Sequence, residues 1–140
     1  MRNVELWHKR ARPSPTSDDF RIQLGCHLEE VCEMFGALDL HHSWDGLFDE
    51  LELLATRLKN GDSEVAIKNR VELLDSLADQ VVTAIGVGHC AGLRTAEGIE
   101  EVNRSNWSKF NQETGQPVFN EYGKIAKGPN YRAPSLKDFV

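Results

Sequence analysis

Carboxylates stand at helical spacing in two stretches of this chain. Glu29, Glu30 and Glu33 share an arc of about 100° on a helical wheel, opposite an apolar stripe. Glu72, Asp75 and Asp79 lie within about 60° of one another, at the edge of a second apolar stripe. Like charges so spaced repel by roughly 0.2–0.5 kcal/mol per pair, so such a face is either solvated or serves a cation. Asp79 is the informative residue. Val81, Val82, Ala84, Ile85 and Val87 follow it, so it is expected where the helix becomes buried, and a buried carboxylate needs a cation or several donors. Oxygen-only ligands suit Mg²⁺ or Mn²⁺, which two acidic clusters on facing helices of a bundle can share.

The elements that must position these residues read as helices. Residues 1–17, with Arg10, Arg12, Pro13, Ser14, Pro15, Thr16 and Ser17, have a composition that resists packing and predict a mobile arm, after which Ser17 or Asp18 caps a helix. That helix is predicted over Asp19–Leu38, where Phe20, Leu24, Leu28, Val31, Phe35 and Leu38 fall within about 80°. A break at His41–Gly46 leads to a second helix over Leu47–Lys59, stopped by Asn60-Gly61. A third is predicted from Asp62-Ser63 to Cys90, with Val71, Leu74, Leu77, Ala78, Val81, Val82 and Ile85 on its apolar side. A fourth spans Thr95–Trp107, with Thr95 as cap. From Asn111 to Val140, Gly115, Pro117, Gly123, Gly128, Pro129 and Pro134 predict loops. The expectation is an all-α domain over residues 18–110 with a loop-rich C-terminal tail.

Composition narrows the function. The 140 residues, 40% hydrophobic and 27% charged, suit one soluble domain. A net charge of -6 argues against a nucleic-acid wrapper or a polybasic membrane binder, yet allows an anionic substrate held through a metal. No apolar run reaches the roughly 18 residues of a spanning helix, and the basic N-terminus lacks the apolar stretch of a signal peptide. Cys26, Cys32 and Cys90 form no C-x-x-C pair and read as reduced small hydrophobes. His41 and His42 lack a second Cys or His at metal spacing and read as structural or solvated.

Two patterns together resemble a family. Glu29-Glu30-Val31-Cys32-Glu33 is similar to the E-E-x-x-E motif of the MazG-type, all-α nucleoside triphosphate pyrophosphohydrolases, in particular the short phage-encoded members related to phosphoribosyl-ATP pyrophosphohydrolase. Their second motif, E-x-x-D, is altered here. Aligning on Asp79 leaves Ser76 in the place of Glu, with Asp75 one residue earlier, while Glu72-Leu73-Leu74-Asp75 satisfies the spacing at an earlier position. The tail resembles S-N-x-S-K, G-K-x-x-K-G-P-x-Y and P-x-L through Ser105–Lys109, Gly123–Tyr131 and Pro134–Leu136.

The resemblance implies a four-helix, oligomeric, Mg²⁺-dependent hydrolase that converts a (d)NTP, by analogy dGTP or GTP, to (d)NMP and pyrophosphate in the cytoplasm. Two or three Mg²⁺, replaceable by Mn²⁺, would be held by Glu30, Glu33 and Asp79, with Asp75 next and Glu72 a further candidate. Glu29 is expected as ligand or base. Lys109, Lys124 and Lys127 suit the terminal phosphates and departing pyrophosphate, or are ordinary surface lysines. Asn103 and Asn106, one helical turn apart, suit sugar or phosphate, or cap the helix end. Trp107 or Tyr131 could stack on a base or simply pack; Arg104 has no assigned role. Phosphoribosyl-ATP hydrolysis and a non-catalytic helical interaction module are the competing readings, and the expected self-association is a dimer or tetramer.

Overall fold

Thr16 opens the first long helix. Its hydroxyl accepts the Asp19 N–H at 3.2 Å, and the Asp19 carboxylate accepts the Thr16 N–H at 2.8 Å, a reciprocal box that satisfies backbone donors at the helix start. The cap is therefore Thr16, one residue before Ser17 and two before Asp18, the expected caps. The computed structural model describes residues 2–38, 45–121 and 123–140. They form α1 (Arg2–Ala11), α2 (Ser17–Gly36), α3 (Asp45–Asn60), α4 (Arg70–Cys90) and α5 (Thr95–Trp107), with a 3₁₀ turn at Lys137–Phe139. Strand-type pairing among the described residues is confined to isolated bridges such as Phe110 with Pro117, so the chain is all-helical as expected. No helix among the described residues is long and apolar enough to cross a membrane. The break predicted at His41–Gly46, with His41 and His42, lies mostly outside the described residues.

The chain divides into two compact units, which differ from the boundaries expected at residues 17 and 110. One comprises residues 14–66 and 119–124. Here α2 packs on α3, with Cys32, Ala55 and Leu58 buried and the Phe35 and Phe48 rings 5.2 Å apart. Gly25 makes the close crossing possible. A Cβ at that position would lie 2.8 Å from the Ala55 carbonyl oxygen and 2.9 Å from the Lys59 Cγ. We expect Gly25→Ala to destabilise the protein by about 1–3 kcal/mol, because backbone cannot yield as a side-chain tip does. Unfolding in urea checks this; an unchanged midpoint would show that the helices separate freely. Gly61, with φ of 89°, ends α3 in the left-handed region, as Asn60-Gly61 predicted.

The other unit comprises residues 1–13, 67–118 and 125–140. It corrects the expected arm: Val4, Trp7 and Ala11 recur at helical spacing, and α1 buries Trp7 and Ala11 with Phe110, against which Ile125 packs. Arg10 donates to the Gly115 carbonyl at 3.0 Å, tying α1 to the loop after α5. The third helix also starts later than expected. The Asn69 side-chain oxygen accepts the Val71 and Glu72 N–H groups at 3.0 and 3.3 Å, so α4 begins at Arg70 rather than near Asp62. Thr95 is the first residue of α5 rather than its cap, and its hydroxyl is buried without a hydrogen-bond partner among the described residues.

Candidate functional site

In the unit built on α2 and α3, Glu29 gathers two ammonium groups. Lys59, in the last turn of α3, donates to Oε1 at 2.8 Å, and Lys124 donates to Oε2 at 3.1 Å across 95 residues of sequence. Lys124 is placed by a local turn: the Asn120 side-chain oxygen accepts its N–H at 2.9 Å, and the Asn120 N–H reaches its carbonyl at 2.9 Å. With Ile22, Thr56, Asn60 and Asn120, the two lysines line a recess of about 200 Å³. Hydrogen bonding from Lys59 draws the Glu29 carboxyl below its ordinary range, partial burial opposing this and Lys124 reinforcing it. Burial, the largest single effect, works against the Lys124 charge, but the bond to Glu29 together with the nearby Cys26, Glu29 and Glu30 charges outweighs it and raises the ammonium above its ordinary value. The cluster is one carboxylate under two cations, an electropositive recess suited to an anion.

Glu29, expected as ligand or base, is thus engaged at both oxygens and held ionised. A carboxyl depressed in the folded state stabilises the fold above its unfolded range, and that contribution is lost as pH falls through the folded value. Glu29→Gln should therefore cost up to about 1 kcal/mol near pH 7, since the pairs are partly solvated, and nothing well below the ordinary glutamate range. Urea unfolding of both proteins at descending pH measures this; a difference that did not shrink would exclude the ion pairs as its source.

Glu30 and Glu33 are exposed on the same helix with no ion pair among the described residues. Asp75 and Asp79, with Glu72 and Ser76, are on α4 in the other unit, and all four are exposed. The expectation that Asp79 enters a buried stretch is corrected. Val71, Leu74 and Val82 around it are 77%, 70% and 67% exposed, so the apolar face of α4 is largely exposed. Among the described residues no group of three or more His, Cys, Asp or Glu side chains gathers as a metal site. Mg²⁺, however, is characteristically bound through one or two carboxylates plus waters and substrate phosphates, and Glu30 with Glu33 is a donor pair of that hard-oxygen kind.

The tail residues divide. Lys127 rests over the Tyr131 ring, 5.0 Å from its centroid, and Trp107 stacks on Phe110 at 5.4 Å, so both aromatic rings have packing roles. Lys109 is half-buried just beyond α5; its carbonyl oxygen would be 2.8 Å from a Cβ at Gly128. Ser105 Oγ donates to the Arg132 carbonyl at 2.7 Å, and Ser108 Oγ accepts the Arg132 N–H at 2.7 Å. Much of the regular pattern in Ser105–Lys109 and Gly123–Tyr131 therefore docks the tail onto α5. Arg104 pairs with Glu101, which also accepts the Ser135 N–H at 2.7 Å; the Arg104 bond, then the Ser135 bond, lower the Glu101 carboxyl to about 2. Asn103 is buried and Asn106 half-buried, both lining a cavity against α1.

Sequence reasoning missed Lys59, whose pairing is long-range and leaves no spacing signal. It also missed Trp7 and His8, for which the Val4–Trp7–Ala11 spacing was the available sign. Compared with family models, curated proteins and solved structures, the chain matches none of them.

Proposed function

We propose that the protein is a Mg²⁺-dependent nucleoside triphosphate pyrophosphohydrolase producing a nucleoside monophosphate and pyrophosphate, with dGTP or GTP as the expected substrate. The observation that carries this reading is the recess under Lys59 and Lys124, anchored on Glu29 and adjoining in sequence Glu30 and Glu33, which form no ion pair among the described residues. A lysine from the tail motif meets the acidic motif there, and cations beside open carboxylates are what a metal-bound triphosphate calls for. Glu29 is a positioning residue that aims both ammonium groups; Lys59 and Lys124 take phosphate oxygens as charge moves onto the departing pyrophosphate. Glu30 and Glu33 would hold the metal. When bound there, Mg²⁺ would supply neutralisation of phosphate charge and a more acidic water.

The same reading includes self-association. Val71, Leu74, Ala78, Val81 and Ile85 follow alternating steps of three and four, the seam spacing of paired helices, and the α4 face they form is largely exposed. A second copy of α4 presents an identical apolar face and closes a two-fold interface, completing the helical bundle that the resemblance implies. The deciding assay offers eight NTPs and dNTPs with Mg²⁺ and identifies the products. Monophosphate with pyrophosphate is the expected pair. A diphosphate with orthophosphate places attack at the γ phosphorus and overturns the mechanism, and no turnover of any of the eight overturns the activity.

A further inference from the structure

A second cavity belongs wholly to the unit that carries α1 and α5. It measures about 370 Å³, within the lower range of small-ligand pockets. Ile99, Val102, Leu136 and Phe139 supply apolar wall, and Trp7 and His8 supply ring surface, their own rings edge-to-face with centroids 4.9 Å apart. No Asp or Glu side chain lines it among the described residues. Its charged side chain, Arg94, donates to the Asp138 carbonyl and lies over the Phe139 ring, 5.1 Å from the centroid. Burial keeps the His8 imidazole below its ordinary pKa, so it is neutral near pH 7. The lining thus suits a flat, apolar body.

Polar groups without partners add the second half of the argument. Asn103 is 8% exposed, lines the cavity, and its carboxamide makes no hydrogen bond among the described residues. Trp7 and Thr95 line the same cavity, but the indole N–H and the hydroxyl, without hydrogen-bond partners among the described residues, are enclosed within its wall, the hydroxyl against Gly88. Buried polar side chains are overwhelmingly hydrogen-bonded in folded proteins, so the Asn103 amide at the cavity wall calls for a ligand atom or water to meet it. A carboxamide offers an acceptor and a donor side by side, and pairs in two-point fashion with a ring edge bearing the complementary pair.

We propose that this cavity binds an uncharged heteroaromatic ring with adjacent donor and acceptor atoms on one edge, the chemistry of a nucleobase, read by the Asn103 amide. The ring packs against Trp7 and Phe139, and its polar edge meets Asn103, with Asn106 one turn further along α5 at the rim. The assignment does not rest on the hydrolase reading, because neither the α2 carboxylates, a metal nor a phosphate takes part, so either can fail alone.

The test titrates the full chain, free of metal, with inosine, adenosine and indole, following the Trp7 indole N–H by NMR and heat by calorimetry. The nucleosides are expected to bind at one site per chain and to shift the Trp7 signal. Asn103→Leu should weaken both nucleosides about tenfold or more and leave indole unchanged, with thermal stability kept or raised because an unpaired buried amide is removed. Gly98→Leu should weaken all three, since a Cβ there finds Leu136 Cδ2 at 4.0 Å and otherwise open space that the added side chain would fill. Nucleoside binding that leaves the Trp7 signal unmoved places the ligand elsewhere and overturns the assignment. So does indole that loses as much affinity as inosine in Asn103→Leu, or no nucleoside binding up to millimolar concentration. The Trp7 readout requires no variant, so a variant that failed to fold would still leave a decision.

Discussion

Glu33→Gln is expected to reduce hydrolysis on the order of a hundredfold or more while leaving the metal-free fold as stable as before. That loss corresponds to about 2.7 kcal/mol of transition-state stabilisation at about 1.36 kcal/mol per tenfold. The exposed Glu33 side chain makes no ion pair among the described residues, so the amide gives up a metal ligand without breaking a structural contact. Removing one charge from the crowded Glu29–Glu33 face also relieves repulsion, so stability without metal should hold or rise slightly. Added Mn²⁺ should raise the melting temperature of the unsubstituted protein by binding the folded state, and do much less for the variant. Steady-state turnover with product identification, together with melts with and without Mn²⁺, distinguishes the possibilities. Full turnover in Glu33→Gln removes α2 from the chemistry. A stability loss matching the activity loss shows instead that Glu33 holds the fold together.

The second large effect is expected on α4. Leu74→Glu and Val82→Glu replace side chains that are 70% and 67% exposed within the chain. In an isolated protomer either change should be nearly silent, or mildly favourable, because solvent already reaches both positions. In a two-fold assembly each substitution acts twice. It removes about 1.5–3 kcal/mol of apolar burial per copy and puts a carboxylate into a desolvated seam. Losing about 3 kcal/mol or more from the assembly weakens self-association by roughly two powers of ten. Sedimentation velocity over a concentration series should show the unsubstituted protein associated and both variants shifted to protomer, with helical content kept. An unsubstituted chain that sediments as a protomer at micromolar concentration, or variants that associate as strongly as it does, would exclude α4 as the contact.

Local order was legible in the residues themselves. Side chains three and four positions apart share a helix face whatever surrounds them, so Phe20–Leu38 and Thr95–Trp107 announced α2 and α5, and Asn60-Gly61 marked the end of α3. Boundaries set by one hydrogen bond were less legible. Thr16 and Asn69 each compete with polar neighbours to cap a first turn, and only the folded backbone decides which oxygen faces the free N–H groups. The N-terminal segment was misjudged because its composition was averaged over 17 residues. The physical signal was three of them, Val4, Trp7 and Ala11, whose burial depends on Phe110 about a hundred residues away.

The candidate site divides along the same line. The acidic motif on α2 was visible as spacing, and Lys124 as a cation of the tail, but not that Lys124 and Lys59 meet on the two oxygens of Glu29. Nor could periodicity foretell that the α4 stripe stays largely exposed, since an apolar face looks the same whatever covers it. Ser105 and Ser108, which stood in a motif, hold the backbone of Arg132, while Asn103 was noted for its polarity and not for the apolar cavity around it. Sequence determined which side chains share a helix face, because that follows from 3.6 residues per turn. Which faces meet, and which charges are thereby paired or left open, was decided by tertiary packing, because contacts between distant residues depend on how the whole chain closes around them.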